Sequence, residues 1–371
     1  MVRAMRFLHT SDWHLGRSLH RADLRDAQAA FLDHLVETAR AERVDAVLVA
    51  GDVYDRAVPP VDAVSLCEEA LVRLRATDAR VILISGNHDS ARRLGFSSAL
   101  IDAAGVHLRT RSSALADPVV LHDEHGPVAV YGIPYLEPAV GPNLGQAIVR
   151  IRSDAAHRGM RRTVVMAHAW VAGGAGSDSE RDISVGGVSQ VPASLFDGFS
   201  YAALGHLHGQ QTLGDHLRYS GSPLPYSFSE AAHKKGSWLV EVGVDGKTRA
   251  ERVPAPAHRR LTVLRGQIGD LLGSPGYARH ETDFLAVTLT DTARPEAAMD
   301  RLKRRFPHIL TLEFRPEGVA ADTRSYRARV AGHDDLTIAS EFVRHVRNTA
   351  ASPGEQRLLA RAFESAREEA R

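Results

Sequence analysis

The sequence predicts an α/β fold with a largely parallel sheet. Three observations predict it. Strand-type and helix-type patterns alternate through residues 1–90, an order that implies parallel strands joined by right-handed crossovers. The strand candidates are short apolar runs such as Val81-Ile82-Leu83-Ile84, which read as buried strands. Each run stops at a polar cluster, here Gly86-Asn87-His88-Asp89. The carboxyl ends of parallel strands are where open α/β sheets build their sites.

Met5 to His9 is the first strand and leads into Ser11-Asp12-Trp13-His14. Leu24, Ala27, Phe31, Leu35 and Ala39 recur at helical spacing and mark the first helix. Ala46 to Ala50 is the second strand, ending in Gly51-Asp52-Val53-Tyr54-Asp55. Val64, Cys67, Leu71 and Leu74 mark a second helix before the strand at 81–84. Further strands are expected at 128–133, at 163–167 ending in His168, and at 201–204 ending in Gly205-His206-Leu207-His208. The Gly- and Ser-rich stretch 171–190 between the last two is long enough for a mobile loop beside a site. Residues 237–244 read as a closing strand.

Composition shifts at Val253-Pro254-Ala255-Pro256-Ala257, a linker pattern. Strands at 261–264, 285–289 and 309–314 and a helix at 295–306 then make a small α+β unit. Beyond it, Ile338, Phe342 and Val346 share one helix face. Leu359, Ala362, Phe363 and Ala366 share another, past the breaker Ser352-Pro353-Gly354.

A chain of 371 residues has room for one large domain and one or two small ones. Apolar residues at 44% and charged residues at 25% fit a soluble globular protein. The formal net charge of +1 announces no nucleic-acid partner, so DNA contact would need local patches. Cys67 is the only cysteine, which excludes a disulfide framework. With no 18-residue apolar run and no signal-like start, a cytoplasmic protein is expected.

The strand-end polar residues are Asp12, His14, Asp52, Asn87, His88, His168, His206 and His208. Each fragment alone has an ordinary reading, as a turn, a cap or a surface histidine pair. Five such strand ends together point to one shared site. Carboxylate and imidazole donors suit Mn²⁺, Fe²⁺ or Zn²⁺, and the lack of thiolates argues against a structural zinc. Seven ligand-type residues exceed what one ion needs, and two ions sharing a carboxylate fit the number. Such a pair, ~3.5–4 Å apart, generates hydroxide and clamps both oxygens of a phosphoryl displacement.

Ser11-Asp12-Trp13-His14-Leu15-Gly16, Gly51-Asp52-Val53-Tyr54-Asp55, Gly86-Asn87-His88-Asp89, Ala167-His168 and Gly205-His206-Leu207-His208 resemble the five motifs of calcineurin-like metallophosphoesterases. Three further segments, Tyr219-Ser220-Gly221-Ser222-Pro223-Leu224-Pro225, Ser227-Phe228-Ser229-Glu230 and Lys234-Lys235-Gly236, resemble the SbcD-type nuclease-subunit branch. The resemblance is strong over residues 5–245 and architectural beyond. It implies a β-sandwich flanked by helices, a small α+β capping domain and carboxyl-terminal helices. The expected divisions are a nuclease domain at 1–252, a DNA-binding cap at 258–320 and a partner-binding helical segment at 335–371. It assigns one ion to Asp12, His14, Asp52 and His208, and the second to Asp52, Asn87, His168 and His206, with Asp52 bridging. His88 would face the scissile phosphate, and Asp55 would orient it. Mn²⁺ is the family's usual ion. The implied activities are double-strand exonuclease and single-strand endonuclease, gated by an SbcC-type coiled-coil ATPase in a complex with two copies of each subunit at the nucleoid.

Other stretches carry weaker signals. Gly246-Lys247-Thr248 resembles the end of a phosphate-binding loop, but residue 241 is Glu and a hairpin turn is expected, leaving no ATPase of the chain's own. Arg301, Lys303, Arg304 and Arg305 read as a solvated helix face or as a DNA-phosphate contact. Trp13 and Tyr54 read as packing residues. The terminal helices dock on their own chain or on a partner. Competing functions are a phosphatase or phosphodiesterase acting on a smaller substrate, and a DNA-end-binding subunit without turnover. The complete ligand set argues against the last.

Overall fold

A computed structural model shows two compact units, Met1–His258 and Arg259–Arg371. The structure describes residues 3–137, 143–181, 183, 190–256, 258–317, 332–347 and 350–369. Part of the expected loop at 171–190 therefore lies outside the described residues.

In the first unit, β1 (Met5–Thr10), β2 (Ala46–Ala50), β3 (Arg80–Ile84) and β4 (Val106–Arg109) run parallel. A second sheet is built from β5 (Val119–Asp123), β6 (Gly126–Ile133), β7 (Thr163–His168), β8 (Tyr201–Gly205), β9 (Gln211–Thr212) and β10 (Leu217–Tyr219). Its order is β5-β6-β7-β8-β10-β9. The chain then returns to the first sheet with β11 (Gly236–Val242) and β12 (Thr248–Pro254), both antiparallel to their neighbours, giving β12-β11-β1-β2-β3-β4.

The apolar runs lack polar alternation because both faces of each strand are covered. Phe7, Leu48, Ile82, Val130, Met166 and Ala203 form the layer between the sheets. Their neighbours Leu8, Val47, Val49 and Leu83 point the other way, against α1 (Arg25–Ala41) and α2 (Val61–Arg75). Tyr131, Val165 and Leu204 pack against the helix Leu144–His157. The first unit is thus a helix/sheet/sheet/helix sandwich. Helix Leu144–His157 starts on a capping box, with Asn143 and Gln146 bonding reciprocally at 2.9 and 3.1 Å.

Several strands escape sequence reading. β4 and β5 carry His107, Arg109, His122 and Asp123, and β10 is only Leu217-Arg218-Tyr219. β12 is an edge strand with alternating exposure along Thr-Arg-Ala-Glu-Arg-Val-Pro. Val253 and Pro254 therefore belong to a strand rather than a linker, and an edge position tolerates the proline. Gly246, at φ +78°, turns the β11–β12 hairpin as the sequence suggests.

The second unit holds a parallel sheet of β13 (Leu261–Gly266), β14 (Phe284–Leu289) and β15 (Ile309–Phe314). Leu264, Leu285 and Val287 pack with Leu271, Leu302 and Phe306 from the flanking helical segments. The helices Asp335–Arg347 and Pro353–Glu369 follow. Ser352-Pro353 is the start of the last helix. Ser352 and Glu355 bond reciprocally at 2.9 and 3.3 Å, with proline at the first helical position. Among the described residues, no helix is long and apolar enough to cross a membrane.

Arg162, just before β7, donates to both Asp123 oxygens at 2.8 and 2.6 Å and to Gly126 O at 2.6 Å. Its side chain is 4% exposed. Asp123→Ala strands a buried guanidinium and is expected to cost about 3–5 kcal/mol. The double change Asp123→Leu/Arg162→Met is expected to cost clearly less. Urea unfolding of the two variants checks this, and equal losses would contradict it.

Candidate metal centre

The strand ends converge. Asp12 and His14 follow β1, Asp52 follows β2, and Asn87 and His88 follow β3. His168 closes β7, and His206 and His208 follow β8. Four of these residues are held left-handed: Asp12 at φ +52°, His14 at +46°, Asp52 at +49° and His206 at +102°. Such backbone persists only where its surroundings over-determine it. Here Asp12 N donates to Gly51 O and His14 N to Asp52 O, both at 3.0 Å. Asp89, given no role by the sequence, ties the next pair of loops together. Its carboxylate accepts the N–H groups of Gly86, Val53 and Tyr54 at 2.9, 3.1 and 3.0 Å.

Donor atoms of Asp12, His14 and His208 lie within 4.8 Å of one another, as do those of Asp12, Asp52 and His168. His14 Nε2 is 3.1 Å from His208 Nε2 and 3.6 Å from Asp52 Oδ2. His168 Nε2 is 3.4 Å from the same Asp52 oxygen. Asn87 Oδ1 meets His168 Nε2 at 2.9 Å and His206 Nδ1 at 3.2 Å. The structure thus gathers all seven ligand-type residues. Asp12 borders both half-sites. Asp52 faces both with one oxygen, because Oδ1 accepts the His88 N–H at 2.8 Å.

His88 and Asp55 require a change of atoms. His88 Nδ1 donates to the Asp55 carbonyl at 2.8 Å, so the main chain fixes its tautomer. The Asp55 carboxylate instead lies 3.7 Å from His14 Nδ1 and 3.7 Å from Arg17 Nε. Trp13 and Tyr54 are packing residues, with the Trp13 indole donating to Thr10 Oγ1 at 2.9 Å.

Burial drives the protonation pattern. It pushes the Asp12 carboxyl up to about 6 against the pull of the His168 and His208 charges. Burial also opposes charge on Asp52, but His168, His14 and His88 outweigh it and hold that carboxyl far below the usual range. Burial would depress His168, yet Asp52 raises it to about 9. His206 is pushed down to about 3, by burial first and then by His168. Carboxylates and imidazoles packed this closely fit a divalent cation, which would stand in for the proton held on His168. Two ligands at ~2.1 Å on a tetrahedral ion lie roughly 3.4 Å apart, close to the spacings seen here. His206 Nε2 and His14 Nδ1 are buried without a hydrogen-bond partner.

The surrounding groups aim the imidazoles. His168 Nδ1 donates to Ala50 O at 2.9 Å. His208 Nδ1 lies 2.5 Å from Ser179 Oγ and 3.4 Å from Glu230 Oε1. Glu230, 1% exposed, pairs with Lys235, whose Nζ also donates to His208 O at 2.8 Å and Ser222 Oγ at 2.9 Å. Only tertiary placement identifies these partners. Glu230 and Lys235 lie in the Ser-Phe-Ser-Glu and Lys-Lys-Gly segments, whose resemblance assigned them no role.

A Cβ at Gly86 would sit 2.1 Å from Asp52 Oδ1. Gly86→Ala is therefore expected to weaken Mn²⁺ binding about tenfold or more by displacing that carboxylate. Gly214, with open space around it, provides the control substitution. Equal Mn²⁺ affinity in both variants by calorimetry would contradict the expectation.

Residues 257–347 match the Type 5 capsule protein repressor C-terminal domain, SbcD_C. TT1561 of Thermus thermophilus is 14% identical, with 68% of this chain and 99% of that one covered at a TM-score of 0.41. A dimetal phosphatase from Danio rerio is 15% identical, with 68% and 96% covered and a TM-score of 0.42. Residues 5–210 match the calcineurin-like phosphoesterase family. They contain all seven ligand-type residues, and the chain belongs to that family of metal-dependent phosphoester hydrolases.

Proposed function

We propose that this chain is an SbcD-type subunit of a DNA-processing nuclease that hydrolyses phosphodiesters with two divalent ions. The observation that carries the reading is the presence, on one chain, of this cage and an SbcD_C-type region. Asp12, His14, Asp52 and His208 would hold one ion, and Asp52, Asn87, His168 and His206 the other. Bound ions, Mn²⁺ in this reading, would supply hydroxide near neutral pH and offset the negative charge that builds up on the phosphodiester.

The chain's own groups do the rest. Asp52 Oδ2 faces His14 and His168 at 3.6 and 3.4 Å, so this carboxylate would help to hold both ions. His88 commits Nδ1–H to Asp55 O, which leaves Nε2 to face the cage, 3.9 Å from Asp52 Oδ2. Once the ring takes up a second proton, its Nε2–H would pass that proton to the leaving oxygen or stabilise its charge.

DNA and an SbcC-type coiled-coil ATPase are the proposed partners, two copies of each subunit acting at the nucleoid in the cytoplasm. Arg301, Lys303 and Arg304 are exposed on helix Ala298–Arg305 and suit DNA phosphates. Arg305 is not available with them, since it donates to Glu281 at 3.0 Å and to Leu271 O at 2.9 Å. The terminal helices leave Phe342, Val346 and Leu358 exposed, with Phe342 at 52%. These side chains suit a coiled-coil face.

His88→Ala is expected to keep its metal content and lose about 10²–10⁴-fold in Mn²⁺-dependent cleavage of end-labelled duplex DNA. Unchanged rates with intact metal would overturn the role of His88. Cleavage of p-nitrophenyl phosphate but of no DNA, with and without partner and ATP, would favour the small-substrate phosphatase instead. Phe342→Asp is expected to abolish co-purification with the ATPase while basal cleavage survives. A pull-down with the variant checks this, and retained binding would return the helices to their own chain.

A further inference from the structure

We infer that the segment Ser177–Glu180 completes one of the two ion sites and not the other, so that its seating governs how tightly the His208 ion is held. The inference rests on the dimetal reading above. What carries it is an asymmetry in how the two strand-end histidines are braced.

His168 leans on the main chain of the core. Its Nδ1–H donates to the carbonyl of Ala50 at 2.9 Å, and Ala50 is the fully buried last residue of β2. That brace cannot leave without unpairing the sheet. His208 leans on side chains of a loop. Its Nδ1 is 2.5 Å from Ser179 Oγ, and its N–H donates to Glu180 Oε1 at 2.7 Å. Ser179 Oγ gives its single hydrogen to Glu230, so toward His208 it can only accept. A single ring proton on His208 therefore sits on Nδ1, which leaves Nε2 to turn its lone pair toward His14 Nε2, 3.1 Å away. Ser179 and Glu180 are thus positioning residues for a ligand of the first ion.

The segment holds itself in place by contacts outside the sheets. Ser177 N and Oγ donate to Glu180 Oε2 at 2.7 and 2.6 Å, closing a tight turn. Asp178 N donates to Ser229 Oγ at 3.1 Å. Arg17 Nη2 donates to Ser179 O at 2.9 Å, and its guanidinium stacks 4.9 Å from the Tyr226 ring centre. All these anchors are side chains or loop backbone. Release of the segment would free His208 to rotate or change tautomer while His168, Asn87 and their ion stay braced. One half-site is then permanent and the other conditional on the loop.

The test is Mn²⁺ titration of the full chain by calorimetry, paired with electron paramagnetic resonance at one and two equivalents. Ser179→Ala and Glu180→Ala are expected to weaken one of two sites about 10–100-fold and leave the other within about twofold. At one equivalent the variants should show an uncoupled, mononuclear Mn²⁺ signal. Ser179→Thr, which restores the hydroxyl, should recover both affinities. Ser229→Ala loosens only an anchor and should shift the same site in the same direction by less, which keeps the test decisive if the first variants fold poorly. Equal weakening of both sites, or of neither, overturns the inference. A wild-type chain that binds one ion at saturation would overturn the dimetal reading itself.

Discussion

A buried carboxylate is the constraint on which the structure depends. Asp52 is 2% exposed, and a buried charge is tolerable only when paired and hydrogen-bonded. One of its oxygens is satisfied by the His88 N–H, and the other faces His14, His168 and His88. Much of the local backbone makes room for it. Gly51 lies so close to His168 that a Cβ would fall 2.4 Å from Nδ1, and Gly86 borders Asp52 itself. The left-handed turns at Asp12, His14 and Asp52 bring successive loops around this one group.

The sandwich is what lets strands distant in sequence share that group. The two sheets bring the ends of β1, β2 and β3 to the ends of β7 and β8, and a bond from His168 to Ala50 O spans the junction. Deeper in, His9 pins the sheets together. Its Nε2 donates to Leu204 O at 3.1 Å, and its Nδ1 accepts from the Tyr201 hydroxyl at 2.9 Å. Burial pushes His9 down to about 3, so the ring is neutral and both nitrogens are used. One histidine next to the site sequence is therefore purely architectural, although it stands three residues from a ligand-type aspartate.

Much of this was readable in the chain. Strands buried on both faces announce themselves as short apolar runs, and a site at their ends announces itself as polar residues where those runs stop. The gathering of Asp12, His14, Asp52, Asn87, His168, His206 and His208 needed no more than that grammar. Strands such as β12, half exposed and polar on alternate positions, carry no such mark. Neither do the braces. Glu230, Lys235 and Ser179 acquire meaning only when the fold carries them to His208. Asp55 shows the same limit at the level of atoms. The resemblance implied its pairing with His88, but the choice between its carbonyl and its carboxylate was set by the turn.

On the proposed function, two divalent ions would be held on either side of the Asp52 carboxylate. Crystals grown with Mn²⁺ and measured at the manganese absorption edge test it directly. The account predicts two anomalous peaks, ~3.5–4 Å apart, on either side of Asp52 Oδ2. One would lie beside His14 and His208, the other beside His168 and Asn87. A single peak at saturating metal, or two peaks that do not share Asp52, would contradict it.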